Sequence, residues 1–583
     1  MTRETLAETL ENIALLLELK GENPFKIRAY RTGAETVMQF PGNIVEMARQ
    51  DELEGIKGIG DALRQKLHEL AGTGKLEYWE NLRGEFPETI FELFDLQGIG
   101  PKKVKALYDE LGVDSIAKLK EVAEAGEVAG LAGFGKKSEE KILEAIAFRE
   151  TNSDRFRLGD VADPTQMILD SLKSHPDCLR AEVGGSFRRG KETVHDIDFL
   201  VATKQPQALM DHFVEQGWVK DVIAHGKTKS SVRLENGLQC DLRAVSNDEW
   251  ACALMYFTGS KEHNVVIRGR ANERGYTLNE YRLALREGSD AEAPPTFAEE
   301  KDLYEFLGLD YIAPELRENG GEVEAAESGD LPRLIELENL RGTFHNHTLA
   351  SDGKNSLEEM ADAARDLGLQ YLGIADHSKS SFQANGLDEK RLRAQLDEIR
   401  QLNRGYENEG ENFRLFAGNE VDILKDGSLD FDEELMAELD YVVASVHNAM
   451  TLSESEMTKR LVKAISSPSV TMLGHLTGRL LLQREPYAVS VPDIIDACAD
   501  TGTWIELNCN PWRLDMDWRW WKLAKEKGVK CVINPDAHRT DNLQFLWYGI
   551  KIARKGWLTR EDVMNCLPLD EIVEALSAKR NRA

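Results

Sequence analysis

The chain has 583 residues, 42% of them hydrophobic and 30% charged, which are globular proportions in a protein too long for one hydrophobic core. No apolar run approaches the roughly 18 residues of a membrane span. The N-terminal segment has the charge spacing of an amphipathic helix, and the seven cysteines form no C-x-x-C pair, so we expect a reducing compartment, the cytoplasm. The net charge of -30 excludes a nonspecific DNA coat, but not a DNA enzyme with locally clustered cations.

Residues 1–150 are predicted helices separated by glycine turns. Two of these turns are Gly-Ile-Gly sequences followed by an amphipathic helix, and a weaker copy follows residue 131. Glycine allows a phosphate to come close, and a helix N-terminus presents free N–H groups to it. The alternative is an ordinary packing unit with a glycine cap. The turns resemble helix-hairpin-helix motifs, and the residues expected to contact the DNA backbone are Gly58, Gly60, Gly98, Gly100, Lys102 and Lys103.

The segment from about 180 to 245 is rich in predicted strands and contains three aspartates. Asp196 and Asp198 are two apart on one strand, and Asp241 lies on a later one. Alternate strand residues share a face, so the three carboxylates together can hold two divalent ions, Mg²⁺ or Mn²⁺. A lone D-x-D is often only a solvated strand end. Here a Gly-Gly-Ser turn and basic residues precede it, and the pattern resembles the nucleotidyltransferase superfamily.

The motif YFTGSKEHNVVIR at 256–268 narrows this resemblance. With the helix-hairpin-helix pair and GSFRRGK in the same order, residues 1–315 resemble family X DNA polymerases. The resemblance implies metal ligation by the three aspartates, with nucleotide contacts from Gly185, Ser186, Arg189, Tyr256, Phe257, Gly259 and Asn264, and template contact from Arg268. The family often has glycine where this chain has His195, which puts local nucleotide contacts in doubt more than catalysis.

Some family X members remove a 5′-deoxyribose phosphate through a lysine Schiff base. Lys66 occupies the position of that lysine, and Lys26 and Tyr30 match the family's 5′-phosphate pocket. Ala62 stands where a second phosphate-binding lysine is expected. A catalytic amine must lose its proton, which requires nearby cations or desolvation. The alternative is therefore a surface lysine beside DNA.

After residue 340, short apolar strands alternate with helices in seven units, which predicts a parallel sheet closed into a barrel. Six of the twelve histidines lie here, each at or near the end of a predicted strand. Strand ends converge on one face of such a barrel. The nine candidate metal ligands are His345, His347, Asp352, His377, Glu420, His447, His475, Asp536 and His538.

The order of these ligands resembles the polymerase-and-histidinol-phosphatase (PHP) domain over about residues 338–575. That resemblance implies three bound ions, Mn²⁺, Zn²⁺ or Fe²⁺, and metal-dependent phosphodiester hydrolysis. In polymerase fusions it implies a 3′–5′ exonuclease or other 3′-end processing, with abasic-site cleavage as a further activity. Arg479 and Arg513 follow strands and either hold substrate phosphates or form structural salt bridges.

These patterns predict a multidomain protein with all-α helix-hairpin-helix domains, an α+β nucleotidyltransferase palm and thumb, and a distorted (βα)7 barrel. The expected boundaries are 1–80 lyase-like, 81–150 fingers-like, 151–258 palm, 259–316 thumb, 317–335 linker and 336–583 PHP barrel. We expect a monomer that acts on gapped or nicked double-stranded DNA with deoxynucleoside triphosphates.

Three hypotheses about function remain. The first is a base-excision-type repair enzyme that combines gap-filling polymerase and nuclease activities. The second is a polymerase whose barrel is a metal-stabilised scaffold without turnover. The third is a small-molecule phosphatase tethered to a DNA-binding module that no longer polymerises. The complete barrel ligand set argues against the second hypothesis, and the complete aspartate set argues against the third.

Overall fold

A computed structural model describes residues 1–40, 43–94, 96 and 99–580. The chain forms two compact units, residues 1–153 and 154–583. Within the described ranges, no helix combines the length and apolar character needed to cross a membrane.

The first unit is helical, as the glycine-punctuated pattern predicts. Its helices are α1 (Arg3–Leu19), α2 (Pro24–Gln39), α3 (Ile44–Arg49), α4 (Asp61–Thr73), α5 (Glu77–Arg83), α6 (Phe91–Phe94), α7 (Pro101–Leu111), α8 (Ile116–Glu124) and α9 (Lys136–Asn152). Glycine stands at the N-cap of α4, α7 and α9, and none of these three caps has a side-chain hydrogen bond. The first N–H groups of these helices are therefore left for another acceptor.

The second unit begins with a five-stranded mixed sheet in the order β2-β4-β7-β6-β5, beside a small β1-β3 pair. The elements are β1 (Phe156–Arg157), α10 (Leu158–Ser174), β2 (Cys178–Val183), α11 (Gly185–Arg188), β3 (Thr193–Val194), β4 (Asp196–Thr203), α12 (Pro206–Val214), β5 (Val219–His225), β6 (Lys229–Leu234) and β7 (Gln239–Val245). Strand β4 pairs in parallel with β7 and antiparallel with β2. One face of this sheet is packed by the apolar sides of α10 and α12.

A smaller helical part follows this sheet. It consists of α13 (Trp250–Thr258), α14 (Lys261–Glu273), β8 (Tyr276–Leu278), β9 (Leu283–Leu285), α15 (Glu300–Phe306) and α16 (Glu322–Ser328). Helix α16 lies within the stretch predicted as a linker, and Arg317 and Glu322 of that stretch are fully buried. Arg317 pairs with Glu300, and Glu322 pairs with His263. Ion pairing therefore orders a segment that has no apolar periodicity.

Residues 336–580, all of them described, contain a seven-stranded parallel sheet whose strands follow chain order. The elements are β10 (Gly342–Thr343), α17 (Leu357–Asp366), β11 (Tyr371–Ile374), α18 (Glu389–Glu409), β12 (Arg414–Asp422), α19 (Glu433–Met436), β13 (Tyr441–Ser445), α20 (Glu454–Ile465), β14 (Met472–Leu473), α21 (Val491–Thr501), β15 (Trp504–Asn508), α22 (Trp521–Glu526), β16 (Cys531–Asn534), α23 (Leu546–Lys555) and α24 (Leu569–Arg580).

The two edges of this sheet meet just beyond the short strands β10 and β16. The N–H of His347 donates to the carbonyl of Ala537 at 2.8 Å, and a parallel bridge joins Asn346 to Ala537. The strands are buried on both faces, as in other parallel sheets covered by helices. The predicted (βα)7 barrel is confirmed, and its closure draws together the segments that follow its first and last strands.

Candidate functional site: two acidic centres and a helical DNA-binding unit

Three carboxylates lie on one side of the five-stranded sheet. Asp196 and Asp198 are two apart on β4, and Asp241 on β7 is the register partner of Asp198. Because alternate residues of a strand share a face and neighbouring strands lie about 4.8 Å apart, the three side chains project together. The structure thus brings together the three aspartates predicted from the sequence.

A tight turn holds the glycine motif against these aspartates. The N–H of Gly184 donates to the carbonyl of Asp198 at 2.7 Å. Gly185 has φ +58°, and a Cβ there would lie 2.5 Å from Oδ2 of Asp198. Only glycine fits this position. Ser186 follows in α11, which places the predicted phosphate-binding motif directly beside the carboxylates.

The charges of Asp196 and Asp198 are poorly compensated by other protein groups, whereas Asp241 has a lysine partner. Burial, together with the charges of Asp196 and Asp241, raises the pKa of Asp198 to about 6. Burial and the charge of Asp241 also raise the pKa of Asp196. For Asp241 burial acts in the same direction, but Lys229, whose Nζ lies 2.8 Å from Oδ2, contributes to a net lowering of the pKa. Divalent cations would relieve this repulsion, so the residues fit the predicted ions.

The predicted nucleotide-binding residues of α13 and α14 surround a turn at Gly259. Tyr256 and Phe257 pack edge to face, with ring centroids 5.3 Å apart. The amide of Asn264 donates to the carbonyl of Tyr256 at 2.7 Å, and a Cβ on Gly259 would lie 2.4 Å from Oδ1 of Asn264. Asn264 therefore holds the turn that presents the two rings. Arg268 is exposed on α14.

Arg189, the predicted triphosphate ligand, is engaged within the protein. Its Nε donates to Glu318 at 2.9 Å, and its Nη1 donates to the carbonyl of Thr258 at 2.8 Å. Glu318 also pairs with Lys555 of α23 at 2.7 Å. Arg189 thus links the glycine motif to the α13 turn and, through Glu318, to the barrel.

In the helical unit, Gly60 and Gly100 are the N-caps of α4 and α7, and a Cβ at either would meet no atom within 4 Å. Both turns are therefore open to a ligand. Gly58 precedes the first cap in the left-handed conformation. Lys102 is exposed in the first turn of α7, beside the half-buried Lys103. Gly98 lies outside the described residues.

The predicted lyase residues converge on one tyrosine that sequence reasoning missed. Lys66 Nζ lies 4.9 Å and Lys26 Nζ 5.8 Å from the centroid of the Tyr78 ring. Tyr30 stacks on the same ring at 6.2 Å. Burial and the neighbouring Tyr78 raise the pKa of Tyr30. Two amines and two phenols therefore share one small surface of the helical unit.

The nine predicted barrel ligands converge at the carboxyl ends of the strands. Their ligand atoms form three groups, and within each group the atoms lie within 4.8 Å of one another. The groups are His347, Asp352, His377 and His538; His345, His347 and Asp536; and His377, Glu420 and His447. His475 joins through its Nε2, which lies 2.9 Å from Oε1 of Glu420. His347 and His377 each belong to two groups, so the clusters are contiguous.

Some buried ligand atoms of this cluster lack a hydrogen-bond partner, and this bears on whether the cluster suits metal ions. Within the described part of the chain, the buried atoms without a hydrogen-bond partner include Nε2 of His345 and Nδ1 of His347. Each such atom costs about 1–3 kcal/mol unless something binds it. Imidazole and carboxylate donors without thiolate are typical of Zn²⁺, Mn²⁺ or iron sites. The donor set therefore fits the predicted ions.

Two carboxylates behind the histidines were missed by sequence reasoning. Glu506 on β15 lies 2.7 Å from Nδ1 of His345 and accepts the backbone N–H of His475 at 2.6 Å. Asp422, at the end of β12, lies 2.6 Å from Nδ1 of His447. Such contacts fix the ring orientation and leave Nε2 for a metal. A carboxylate inside an apolar strand, as in TWIELNC, is the signal that could have revealed Glu506.

The two predicted arginines differ in their surroundings. Arg513 lines the cavity of about 390 Å³ above the cluster, with its Nε 3.4 Å from Oδ2 of Asp536. Arg479 is buried and pairs with Glu192 at 2.9 Å and with Asp517 at 3.1 Å. Arg479 therefore makes the structural salt bridges that the sequence left as an alternative, while Arg513 faces the cavity.

Models of four known domains match the chain in the order predicted. A helix-hairpin-helix domain matches residues 1–76, and a SAM-like helix-hairpin-helix tandem matches 90–147. A DNA polymerase beta thumb matches 253–318, and a PHP domain matches 343–510.

The chain is also 40% identical to the DNA polymerase/3′-5′ exonuclease PolX of Bacillus subtilis (strain 168), over the whole of both chains. The chain belongs to the PolX group of family X DNA polymerases. Two further relatives match part of the chain. DNA polymerase lambda of Rattus norvegicus is 24% identical over 54% of this chain and 56% of its own length. A probable phosphatase of Thermoanaerobacter sp. (strain X514) is 26% identical over 41% of this chain and 95% of its own length.

Family membership confirms the predicted fold class and the resemblance to PHP-fused family X polymerases. The roles of individual residues are not settled by the comparisons. In this PolX the structure places the predicted aspartates together and the predicted barrel ligands together, and it adds Tyr78, Glu506 and Asp422.

Proposed function

We propose that this PolX fills short DNA gaps at the aspartate site and removes nucleotides from 3′ ends at the barrel site. One observation supports the proposal: the second unit contains two clusters of candidate metal ligands, Asp196, Asp198 and Asp241 in one and nine residues in the other. A repair enzyme that both trims and extends a 3′ end requires two such sites.

At the first site, the three aspartates hold two Mg²⁺ or Mn²⁺ ions. Such ions, when bound, lower the pKa of a 3′-hydroxyl and neutralise the departing phosphate. Ser186 and the N–H of Gly185 receive the triphosphate beside them, while the N–H of Gly184 holds the turn against Asp198. Tyr256 and Phe257 line the pocket for the sugar. The Arg243 guanidinium lies 4.4 Å from the Phe257 ring centroid and holds that ring in place.

At the second site, the nine ligands hold three ions of Mn²⁺, Zn²⁺ or Fe²⁺. Such ions, when bound, activate water and polarise a phosphodiester. Glu506 and Asp422 orient the histidines, and Arg513 offers a guanidinium to the phosphate entering the cavity. Hydrolysis at abasic sites would use the same groups and belongs to this proposal.

The helical unit supplies DNA affinity in the proposal. The open N-termini of α4 and α7 bind backbone phosphates without reading sequence. Lys66 is the candidate Schiff-base lysine, with Lys26 and Tyr30 beside the 5′-phosphate. The proposal also includes the domain boundaries predicted from the sequence and a monomeric state.

The test uses a one-nucleotide-gapped duplex whose primer is labelled at its 5′ end, incubated with Mn²⁺ with and without nucleotides. We expect extension by one nucleotide in the first case and stepwise shortening in the second. If the primer is extended but no paired, mismatched or abasic 3′ end is shortened, the barrel is a scaffold without hydrolytic activity. Hydrolysis of a small phosphomonoester, with neither extension nor shortening of the primer, would favour a tethered phosphatase.

A further inference from the structure

Phe382 is 77% exposed, yet it lines the barrel cavity together with metal-ligand candidates such as His377 and His538. It lies in a short 3-10 helix, Phe382–Ala384, between β11 and α18. Among the described residues that line this cavity, Phe382 is the only Phe, Tyr or Trp. A large apolar ring therefore stands in water at the entrance to a polar, carboxylate-rich site.

The loop that carries Phe382 is fastened on its N-terminal side. The N–H of Ser380 donates to Oδ2 of Asp430 at 2.7 Å. The hydroxyl of Ser381 donates to Oδ2 of Asp422 at 2.8 Å, and Asp422 also contacts the candidate ligand His447. The residue just before Phe382 is thus tied to the carboxylate that orients a barrel histidine.

The C-terminal side of the loop is fastened as well. The N–H of Gly386 donates to the carbonyl of Ser381 at 3.1 Å, and the side chain of Asn385 donates to the carbonyl of Ser351 at 3.2 Å. Arg391 donates to the carbonyls of Asn385 and Gly386 at 3.0 and 3.1 Å. The backbone under Phe382 is therefore held in one position although its ring has little to pack on.

An exposed ring on a fixed loop is costly for folding and well suited to binding. Exposed phenyl surface forgoes burial, and a ring whose backbone is already ordered loses little conformational entropy when a partner covers it. The cavity beside it offers Arg513 for a phosphate and the nine-ligand cluster for hydrolysis. A flat apolar partner joined to a phosphodiester is a nucleobase on a DNA strand, and every base has a face that stacks on an aromatic ring.

We propose that Phe382 stacks on the base of the 3′-terminal nucleotide and thereby makes a base-bearing 3′ end a better substrate of the barrel site than an abasic 3′ end. The proposal rests on the 3′-end hydrolysis proposed above. A base stacked on Phe382 has left its own helix, so a frayed or mismatched end reaches the site at a lower cost than a paired end.

The first test measures stacking without turnover. An oligonucleotide with 2-aminopurine at its 3′ terminus and a phosphorothioate at the last linkage is titrated with full-length protein and Mn²⁺. We expect quenching of the 2-aminopurine fluorescence by the native protein and by Phe382→Tyr, and loss of this quenching in Phe382→Ala. Equal quenching by all three proteins would overturn the proposal.

The second test compares hydrolysis of two single-stranded 3′ ends, one with ordinary nucleotides and one ending in tetrahydrofuran abasic analogues. Phe382→Ala should raise KM about 10-fold or more on the base-bearing end and leave kcat within about twofold. On the abasic end, native and variant proteins should not differ, and Phe382→Tyr should restore the native KM. An equal loss on both ends would mean a structural role and would overturn the proposal.

Leu367, 49% exposed beside the C-terminus of α17, provides the matched control. Leu367→Ala removes an exposed apolar side chain from the same barrel and should match the native protein in both assays. If the native protein hydrolyses neither 3′ end, the proposed exonuclease fails, whereas the inference about Phe382 is still decided by the fluorescence titration.

Discussion

Glu506 makes two contacts at once, to the ring of His345 and to the backbone of His475, and is itself fully buried. One carboxylate on β15 therefore sets the positions of two candidate ligands that follow β10 and β14. A group of this kind acts through the ligands and does not touch substrate. Its removal should weaken the barrel site and leave the aspartate site intact.

We therefore expect Glu506→Gln to lower hydrolysis of 3′ ends about 10- to 100-fold, with reduced metal content, because the imidazole of His345 loses its charged partner. Extension of a gapped primer should remain at the native rate. The measurements are the two rates and the metal bound per chain after dialysis. Glu358→Gln, an exposed change on α17, should alter neither rate, and an unchanged hydrolysis rate in Glu506→Gln would contradict the assigned role.

The two sites should also be separable by substitution of their own candidate ligands. Asp198→Ala removes the carboxylate between Asp196 and Asp241 and should abolish synthesis while sparing hydrolysis, since the barrel ligands are unchanged. His345→Ala should do the reverse. Both rates are measured on the same gapped duplex. Loss of both activities in one variant that keeps its folded circular dichroism spectrum would refute two independent sites.

Individual site residues could be predicted from the sequence where a candidate ligand directly follows a strand. His345 and His347, or Asp536 and His538, stand two apart beyond apolar runs, and the parallel topology then guarantees that they meet. Sequence reasoning fails for Glu506 and Tyr78, because their role depends on neighbours from distant segments. Arg479 shows the same limit, since its partner Glu192 is far away in the chain.

At the scale of elements, the palm sheet supports a loop of the barrel. The guanidinium of Arg157, the last residue of β1, lies 3.2 Å from the ring centroid of Trp512, and Glu192, just before β3, pairs with the buried Arg479. Arg479 in turn donates to the carbonyl of Arg513 at 2.9 Å. The loop that points Arg513 into the barrel cavity is thus held from the palm side.

Glu192→Gln should consequently slow hydrolysis at the barrel site about 2- to 30-fold, the range of such indirect coupling, although Glu192 does not line the cavity. The effect should appear mainly in KM, because a phosphate contact and not the metal cluster is disturbed. Steady-state kinetics on a single-stranded oligonucleotide measure this. Glu215→Gln, an exposed change on the same palm, is the control, and equal kinetics for the two variants would contradict the coupling.

A buried ionic cluster joins α11, α15 and the segment before α16. Glu300 accepts from Arg188 at 2.8 Å and pairs with the fully buried Arg317. Burial alone would raise the pKa of Glu300, but the Arg317 and Arg188 guanidiniums outweigh it and lower the pKa to about 2. Because the folded pKa lies below the unfolded value of 4.5, this stabilisation is complete above pH 4.5 and is lost as the pH falls toward 2.

Glu300→Gln should therefore cost about 3 kcal/mol of unfolding free energy near pH 7, because it leaves Arg317 buried without a charged partner. The difference from the native protein should shrink as the pH falls below about 4.5, because the carboxylate of the unfolded native chain then takes up a proton while the folded carboxylate, with a pKa of about 2, is still ionised. Urea unfolding across this range measures it. A difference independent of pH would mean that folding does not lower the pKa of Glu300.

At the scale of the whole molecule, the chain consists of two compact units. Residues 1–153 carry the helix-hairpin-helix matches, and residues 154–583 carry both acidic centres. The order and type of these parts could be predicted from local motifs. The helix and the ion pairs made by residues 317–335 could not be predicted, since their partners lie far away in the chain: Lys555, which pairs with Glu318, follows it by 237 residues.

Metal binding should stabilise one unit and not the other. Saturating Mn²⁺ adds binding free energy only to the folded form of the second unit, about 2.7 kcal/mol at 100 times Kd for each ion. Calorimetry should therefore show that the transition assigned to residues 154–583 rises in Tm while the transition of 1–153 stays fixed. A chelator should reverse the shift, and a uniform rise of both transitions would contradict separate sites.

The closure of the barrel through His347 and Ala537 determines the order in which the two sites are completed during synthesis of the chain. A ribosome delivers the chain from its N-terminus, so the three aspartates of the palm are present long before Asp536 and His538 emerge. The barrel cluster needs ligands that follow both the first and the last strand, and no shorter nascent chain contains them. Translation therefore completes the aspartate site first and the barrel cluster last, so a prematurely terminated chain retains the three aspartates without the full barrel cluster.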